Sequence, residues 1–346
     1  MLKIISCPSA TFFGNKVCYH LKEKFDHELE IPVKWTKFKN GELKSELLES
    51  VRGCEVFIIQ DVANMPGHIH DNLFELFVIT DAVRRSGANS ISLILPTFPY
   101  ARQHRKAGRE GLTAKMLAQF FETFNIDRII TLDLHNRELE NAFCNIVVEN
   151  LHASYYIMKK LLPSLKEADN ICVVAPDTGA AERNKFFARI LKADYAVIYK
   201  ERDYERVSDS VKDSNIISMK VLGDIKGKDC FLFDDMIDTG GTILRAAQLL
   251  KAEGAQTVTI GTSLPFFNGN AVDSFDEAFK NGDFNYVIGT NAVYNPHLWN
   301  NEWFLEADVT KFFATIISKI FKKESISELL DGRYVIQKLL KKNDII

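Results

Sequence analysis

Short apolar runs alternate along the chain with longer stretches in which apolar residues recur every three or four positions. Residues 56–61 (VFIIQD) read as a buried strand. Residues 71–87 read as a helix with Leu73, Leu76, Phe77, Ile79 and Val83 on one face and Gly87 as its stop. A strand at 91–96, a helix at 113–124 with Thr113 as its expected N-cap, and a strand at 128–134 continue the alternation. The rhythm restarts near residue 150. It predicts strands at 171–177, 196–200, 230–235, 257–264 and 286–292, and helices at 181–191 and 242–254. The first fifteen residues read as a strand and a loop. The end of the chain reads as helices at 309–321, 325–330 and 334–346.

Strand, helix, strand in succession requires parallel strands joined by helical crossovers. Strands that are apolar on both faces belong to parallel sheets covered by helices. The expected fold class is therefore α/β, with two doubly wound parallel-sheet domains and a C-terminal helical extension. The expected domains are 1–150, joined by the helices of 303–346, and 151–302.

Composition narrows the class. With 46% hydrophobic and 26% charged residues in a chain of 346, this is an ordinary globular protein with sizeable cores. A formal charge of −3 provides no global basic field for nucleic acid or membrane, so neither is expected as a partner. No apolar run approaches the roughly 20 residues of a membrane helix. Six scattered cysteines without a C-x-x-C pair fit a reducing compartment, and a cytoplasmic location is expected.

One segment carries most of the chemistry: FLFDDMIDTGGT, residues 231–242. An apolar strand ends in two adjacent carboxylates and then enters a Gly-Gly turn and a helix. Asp238, Thr239, Gly240, Gly241 and Thr242 form a turn whose backbone N–H groups and helix N-terminus suit a phosphate. Asp234 and Asp235 cannot bind phosphate, but they can accept from vicinal sugar hydroxyls or hold Mg²⁺. Phosphate beside a diol describes a ribose 5-phosphate group. No G-x-x-x-x-G-K-[ST] occurs, so ATP would not be bound by a P-loop.

This segment resembles the phosphoribosyl-pyrophosphate (PRPP) loop of type I phosphoribosyltransferases and ribose-phosphate pyrophosphokinases. Other runs are similar to the pyrophosphokinases alone: NLFEL at 72–76, PYARQHR at 99–105, TLDLHN at 131–136, APDTGAAER at 175–183 and SIS at 325–327. The resemblance implies two domains of phosphoribosyltransferase-like type and Mg²⁺-dependent transfer of the pyrophosphoryl group of ATP to ribose 5-phosphate. It implies that Lys200 and Arg202 are catalytic cations, followed by a polar lid. It also implies that His135 and Asp177 ligate Mg²⁺, and that Arg102, Gln103 and His104 bind ATP. Phe38, Asn40 and Glu42 would reach the adenine of a neighbouring subunit's ATP, so a homo-oligomer, a dimer or multiple of dimers, is expected. Two alternatives stay open: a larger acceptor such as ADP-ribose, and a non-catalytic regulatory homologue. The chain also departs from the family pattern. His104 stands in place of an Asp, and Ala180 in place of a Gly. The segment after the D-L-H run carries Glu138 and Glu140, which implies weak activation by phosphate.

Overall fold

The computed structural model describes residues 1–63, 68–106, 108–167, 170–202 and 216–346. The chain divides into two compact units. The first is Met1–Ala153 with Asn291–Tyr294 and Asp308–Gly332; the second is Ser154–Thr290 with Asn295–Ala307 and Arg333–Ile346. From the N-terminus the first unit holds β1 (Leu2–Ser6), α1 (Thr11–Lys22), β2 (Val33–Lys37), β3 (Leu43–Leu47) and β4 (Glu55–Ile59). It continues with α2 (Ile69–Arg85), β5 (Ser90–Leu95), α3 (Thr113–Glu122), β6 (Arg128–Leu132) and β7 (Val147–Leu151). The second unit holds α4 (Ser154–Glu167), β8 (Ile171–Ala175), α5 (Ala181–Leu191), β9 (Asp194–Arg202), β10 (Ile216–Leu222) and β11 (Asp229–Ile237). After these come α6 (Gly241–Ala252), β12 (Thr257–Pro265), α7 (Ala271–Lys280), β13 (Tyr286–Thr290) and β14 (Phe304–Ala307). The chain then returns to the first unit for α8 (Thr310–Phe321) and α9 (Ser327–Asp331), and to the second for α10 (Arg333–Lys342).

The first unit has a parallel sheet in the order β1-β4-β5-β6-β7, and a separate hairpin of β2 and β3. Alternate residues Ile5, Val56, Ile58, Ile91, Leu93 and Ile129 share a core with Leu76 and Val83 of α2 and Leu117 and Phe121 of α3. The intervening residues Ile4, Phe57, Ile59, Ile94 and Ile130 are buried as well, so both faces are covered, as a parallel sheet requires. The segment read as an opening loop is the helix α1. It lies so close to β1 that a Cβ on Gly14 would stand 2.1 Å from Ser6 Oγ. It packs along α8 through Phe13 against Phe313, and Phe25, just beyond its end, meets Phe321.

The second unit has a seven-stranded sheet in the order β10-β9-β8-β11-β12-β13-β14, parallel except for the edge pair β9/β10. Cys172, Val174, Ile198, Leu232, Ile260 and Val287 pack with Ile243, Ala246 and Leu250 of α6. The expectation that all of 303–346 joins the first domain is corrected for β14 and α10. β14 pairs with β13, and α10 buries Ile336 and Leu340 and lies on α4 and α5. Thr113 opens α3 instead of capping it; the cap position is Leu112, and no side chain caps the helix.

Candidate active site

The strand order of the second unit reverses at one place. From β8 the chain moves outward to β9 and β10; from β11 it moves the other way to β12, β13 and β14. The loops leaving the carboxyl ends of β8 and β11 therefore part, and ligands of open α/β sheets bind in the crevice left between such loops. The loop after β8 carries Asp177, whose Oδ1 accepts from the Ala180 N–H at 3.0 Å. β11 carries Asp234 and Asp235 within its last residues, and the turn 238–240 leads to α6. The strand thus runs two residues beyond the carboxylate pair, because β12 pairs with it as far as Ile237.

Gly240 has φ +75°, and a Cβ there would lie 2.3 Å from the Phe275 ring, so conformation and space both require glycine. Gly241 opens α6 with open space where its Cβ would be. Asp238 is held from behind: its Oδ1 accepts from Asn268 Nδ2 at 2.8 Å and its carbonyl from the Asn268 N–H at 3.0 Å. Thr239 on the turn and Thr242 at the start of α6 are both exposed. The six residues 177 and 234–238 therefore lie on one end of one sheet.

The electrostatics there are unusual. Burial, and then the neighbouring Asp235 carboxylate, push the Asp234 carboxyl well above its ordinary value; Arg183 pulls it down and Asp177 pushes it up. Asp235, itself buried, lies 3.9 Å from Arg183 Nη1. Negative charge exceeds positive charge around Asp234, which suits a cation or sugar hydroxyls. A residue that sequence reading missed sits beneath the pair. Asn184 of α5 is completely buried and bonds both backbone groups of Phe233, at 2.7 and 3.0 Å.

In the first unit, Arg102 and Gln103 are exposed on the loop after β5. Tyr100 turns that loop with φ 58°, and its carbonyl accepts from the Gln103 N–H at 2.8 Å. His104 donates from Nδ1 to the Ala101 carbonyl at 3.1 Å, and its ring centre lies 5.6 Å from that of His135. So the residue that departs from the family pattern touches the expected metal ligand of this unit. Glu140 accepts from Asn150 Nδ2 at 3.3 Å, and Asn150 in turn accepts from the Leu134 N–H, next to His135. Glu138 lies 3.9 Å from Arg105. Phe38, Asn40 and Glu42 form the tip of the β2/β3 hairpin. The tip is closed by Phe38 N–H to the Glu42 carbonyl at 2.8 Å, with the Phe38 side chain exposed. Lys200 and Arg202 fall at the end of β9; their side chains and the expected lid, 203–215, lie outside the described residues.

Comparison with known proteins decides the family. Residues 2–124 match the N-terminal domain of ribose phosphate pyrophosphokinase, and residues 148–285 match the phosphoribosyl transferase domain. A ribose-phosphate pyrophosphokinase of Helicobacter pylori is 36% identical over 332 residues, spanning 94% of this chain and 95% of that one. The chain belongs to the ribose-phosphate pyrophosphokinase family. A pyrophosphokinase of Vibrio parahaemolyticus is 34% identical over 94% of this chain and all of its own length. The crystal structure of phosphoribosylpyrophosphate synthetase from Mycobacterium smegmatis superposes with a TM-score of 0.80 at 29% identity, covering 93% of this chain and 99% of that one. The α/β architecture with its phosphoribosyltransferase-type second unit is thus that of the pyrophosphokinase family.

The family implies a metal ion, and the donor chemistry fits a hard divalent cation. The carboxylates of Asp177, Asp234 and Asp235 are hard oxygen donors in a region of excess negative charge. Among the described residues no three His, Cys, Asp or Glu side chains gather as a ready-made metal cage. Among the same residues no helix is long and apolar enough to cross a membrane.

Proposed function

We propose that this chain transfers the pyrophosphoryl group of ATP to the anomeric hydroxyl of ribose 5-phosphate, giving PRPP and AMP. The observation that carries the reading is the carboxylate pair Asp234–Asp235 beside the Gly240–Gly241 turn, at the one place where the strand order reverses. The N–H groups of 239–242 and the Thr239 and Thr242 hydroxyls hold the 5-phosphate, with Asp238 fixing the turn. Asp234 and Asp235 accept from the ribose hydroxyls. The family membership and the solved relative support the same reading.

Arg102 offers a planar guanidinium to the nucleotide, and Gln103 and His104 line the same loop. Phe38 stacks on adenine, with Asn40 and Glu42 at its edge, across the interface of a homo-oligomer. The exposed ring on a closed hairpin tip supports this. His135 in the first unit and Asp177 in the second are each a proposed Mg²⁺ ligand, and such an ion would neutralise phosphate oxygens of ATP. Lys200 and Arg202 then stabilise charge on the group in transit. The bond from the ribose O1 to the β-phosphorus forms as the bond from that phosphorus to the α-bridging oxygen breaks, so AMP leaves and the O1 proton is released. A cytoplasmic location suits the buried thiols, with those of Cys18 and Cys230 pushed up to about 12 by burial and so kept protonated.

The test is to incubate purified protein with ATP, Mg²⁺ and ribose 5-phosphate. AMP and PRPP are expected; ADP as the nucleotide product would overturn the reaction class. An ADP-ribose arm at equal concentration should give much slower AMP release, and the opposite order would reassign the acceptor.

A further inference from the structure

The last backbone rung between β8 and β11 joins Val174 to Leu232. Beyond it, β11 continues to Ile237 with a strand partner on its β12 side only. Phe233, the next residue, would face the crevice with an open N–H and C=O. Asn184 fills that place. Its Nδ2 donates to the Phe233 carbonyl at 2.7 Å, and its Oδ1 accepts from the Phe233 N–H at 3.0 Å. The second Nδ2 proton goes to the Ala180 carbonyl at 2.9 Å. The side chain is 0% exposed. One amide thus supplies the missing rung and ties it to the loop that carries Asp177.

We infer that Asn184 is a positioning residue for the ribose-phosphate acceptor: it holds the Asp177–Ala180 loop and the Asp234–Asp235 pair at a set spacing across the crevice. This rests on the function proposed above. The chemistry is specific. An amide offers one acceptor and two donors in a plane, and all three are used here. Phe233 precedes the first carboxylate, so any shift of its peptide moves Asp234 and Asp235 directly. A hydrophobic side chain would leave buried backbone groups unpaired. A water could bridge them, but it would leave the spacing between the loops unset. No local pattern reveals the role, because the partners are 49 residues apart in the chain.

The experiment compares wild type, Asn184→Ala and Asn184→Asp by calorimetric titration with ribose 5-phosphate, and by steady-state kinetics in each substrate. The Asp variant keeps the shape and the acceptor oxygen but loses both donors. Both variants should weaken ribose 5-phosphate binding about tenfold or more, as small displacements of binding groups do, and leave the KM for ATP within about twofold. Unchanged acceptor affinity in Asn184→Ala, or equal losses for both substrates, would overturn the inference. Hydrogen exchange of the wild type keeps it testable if the variants fail to fold. Peptides covering 180–184 and 233–237 should slow together on adding ribose 5-phosphate, and slowing confined to one of them would overturn the coupling. A wild type that does not bind ribose 5-phosphate at all would instead remove the functional reading, and this inference with it.

Discussion

The two sheets are built from the same alternation of strands and helices, yet they present different kinds of binding surface. In the first unit each strand after the hairpin lies beside its predecessor, in the order β1-β4-β5-β6-β7, and the order never reverses. Its candidate nucleotide residues accordingly sit on loops and a hairpin tip: Arg102 and Gln103 after β5, His135 after β6, and Phe38 between β2 and β3. In the second unit the order reverses between β8 and β11, and there Asp177 follows β8 while the carboxylate pair and the glycine turn close β11. A reversal makes a rigid crevice from strand termini; a monotonic sheet leaves ligand contacts to its loops. We therefore assign the acceptor to the second unit, and adaptable nucleotide contacts to the first.

The division of labour breaks most visibly at the cations. Lys200→Ala and Arg202→Ala should each lower kcat by about 10²–10³ with nucleotide affinity nearly unchanged, as loss of a transition-state donor does. Two variants with near-wild-type kcat would take the chemistry away from the carboxyl end of β9. The glycine pair separates fold from function within the turn. Gly240→Ala should destabilise the protein by about 3 kcal/mol, through its positive φ and the clash with Phe275. Gly241→Ala should leave the thermal midpoint alone, since its Cβ meets open space, yet weaken acceptor binding. Denaturation and calorimetry on the two proteins decide it; equal destabilisation would show that the turn is purely structural.

At the carboxylates, Asp235→Asn should weaken ribose 5-phosphate binding by about 2 kcal/mol with the KM for ATP unchanged. Asp234→Asn should do so too, while raising the melting temperature of the unliganded protein. Burial and Asp235 already disfavour its charge, so an amide relieves the cost. A lowered melting temperature would contradict the charge balance described. In the first unit the contrast runs the other way: Phe38→Ala should raise the KM for ATP about tenfold and leave acceptor affinity intact, as loss of an aromatic stacking partner implies.

The smallest effect belongs to a polar contact away from both candidate sites. Asp308 accepts from Thr310 at 2.9 and 2.6 Å and lies 3.2 Å from Lys16 Nζ. Burial raises its pKa, but hydrogen bonds from Thr310 and Asn291 and the Lys16 charge outweigh this and leave it lowered. A lowered folded pKa means stability that is present above the unfolded value of about 3.9 and lost as pH falls through the folded one. Asp308→Ala should thus cost about 1 kcal/mol at neutral pH, and its melting temperature should converge with wild type in acid. A gap that persists at pH 2 would locate the effect elsewhere.

The segment 231–242 was legible because strand, carboxylates, turn and helix start are contiguous, so local periodicity and glycine spacing describe one object. The same holds for α5, whose predicted and observed limits coincide. Legibility failed where the signal was weak or distant. Pro163 interrupts the pattern of α4, Glu149 and Asn150 break the apolar run of β7, and β14 has only four residues. Helix α7 does carry a local signal, with Val272, Phe275 and Phe279 at helical spacing. By itself, then, the sequence determined the α/β class, the family and the residue types of the acceptor turn, since these reside in runs of a dozen residues or fewer. Only the tertiary structure decided which strands are neighbours, that the order reverses between β8 and β11, that α10 joins the second unit, and that Asn184 supplies the missing rung. Those facts depend on contacts between residues far apart in the chain, whose free energy comes from packing and backbone pairing across the fold and leaves no local trace.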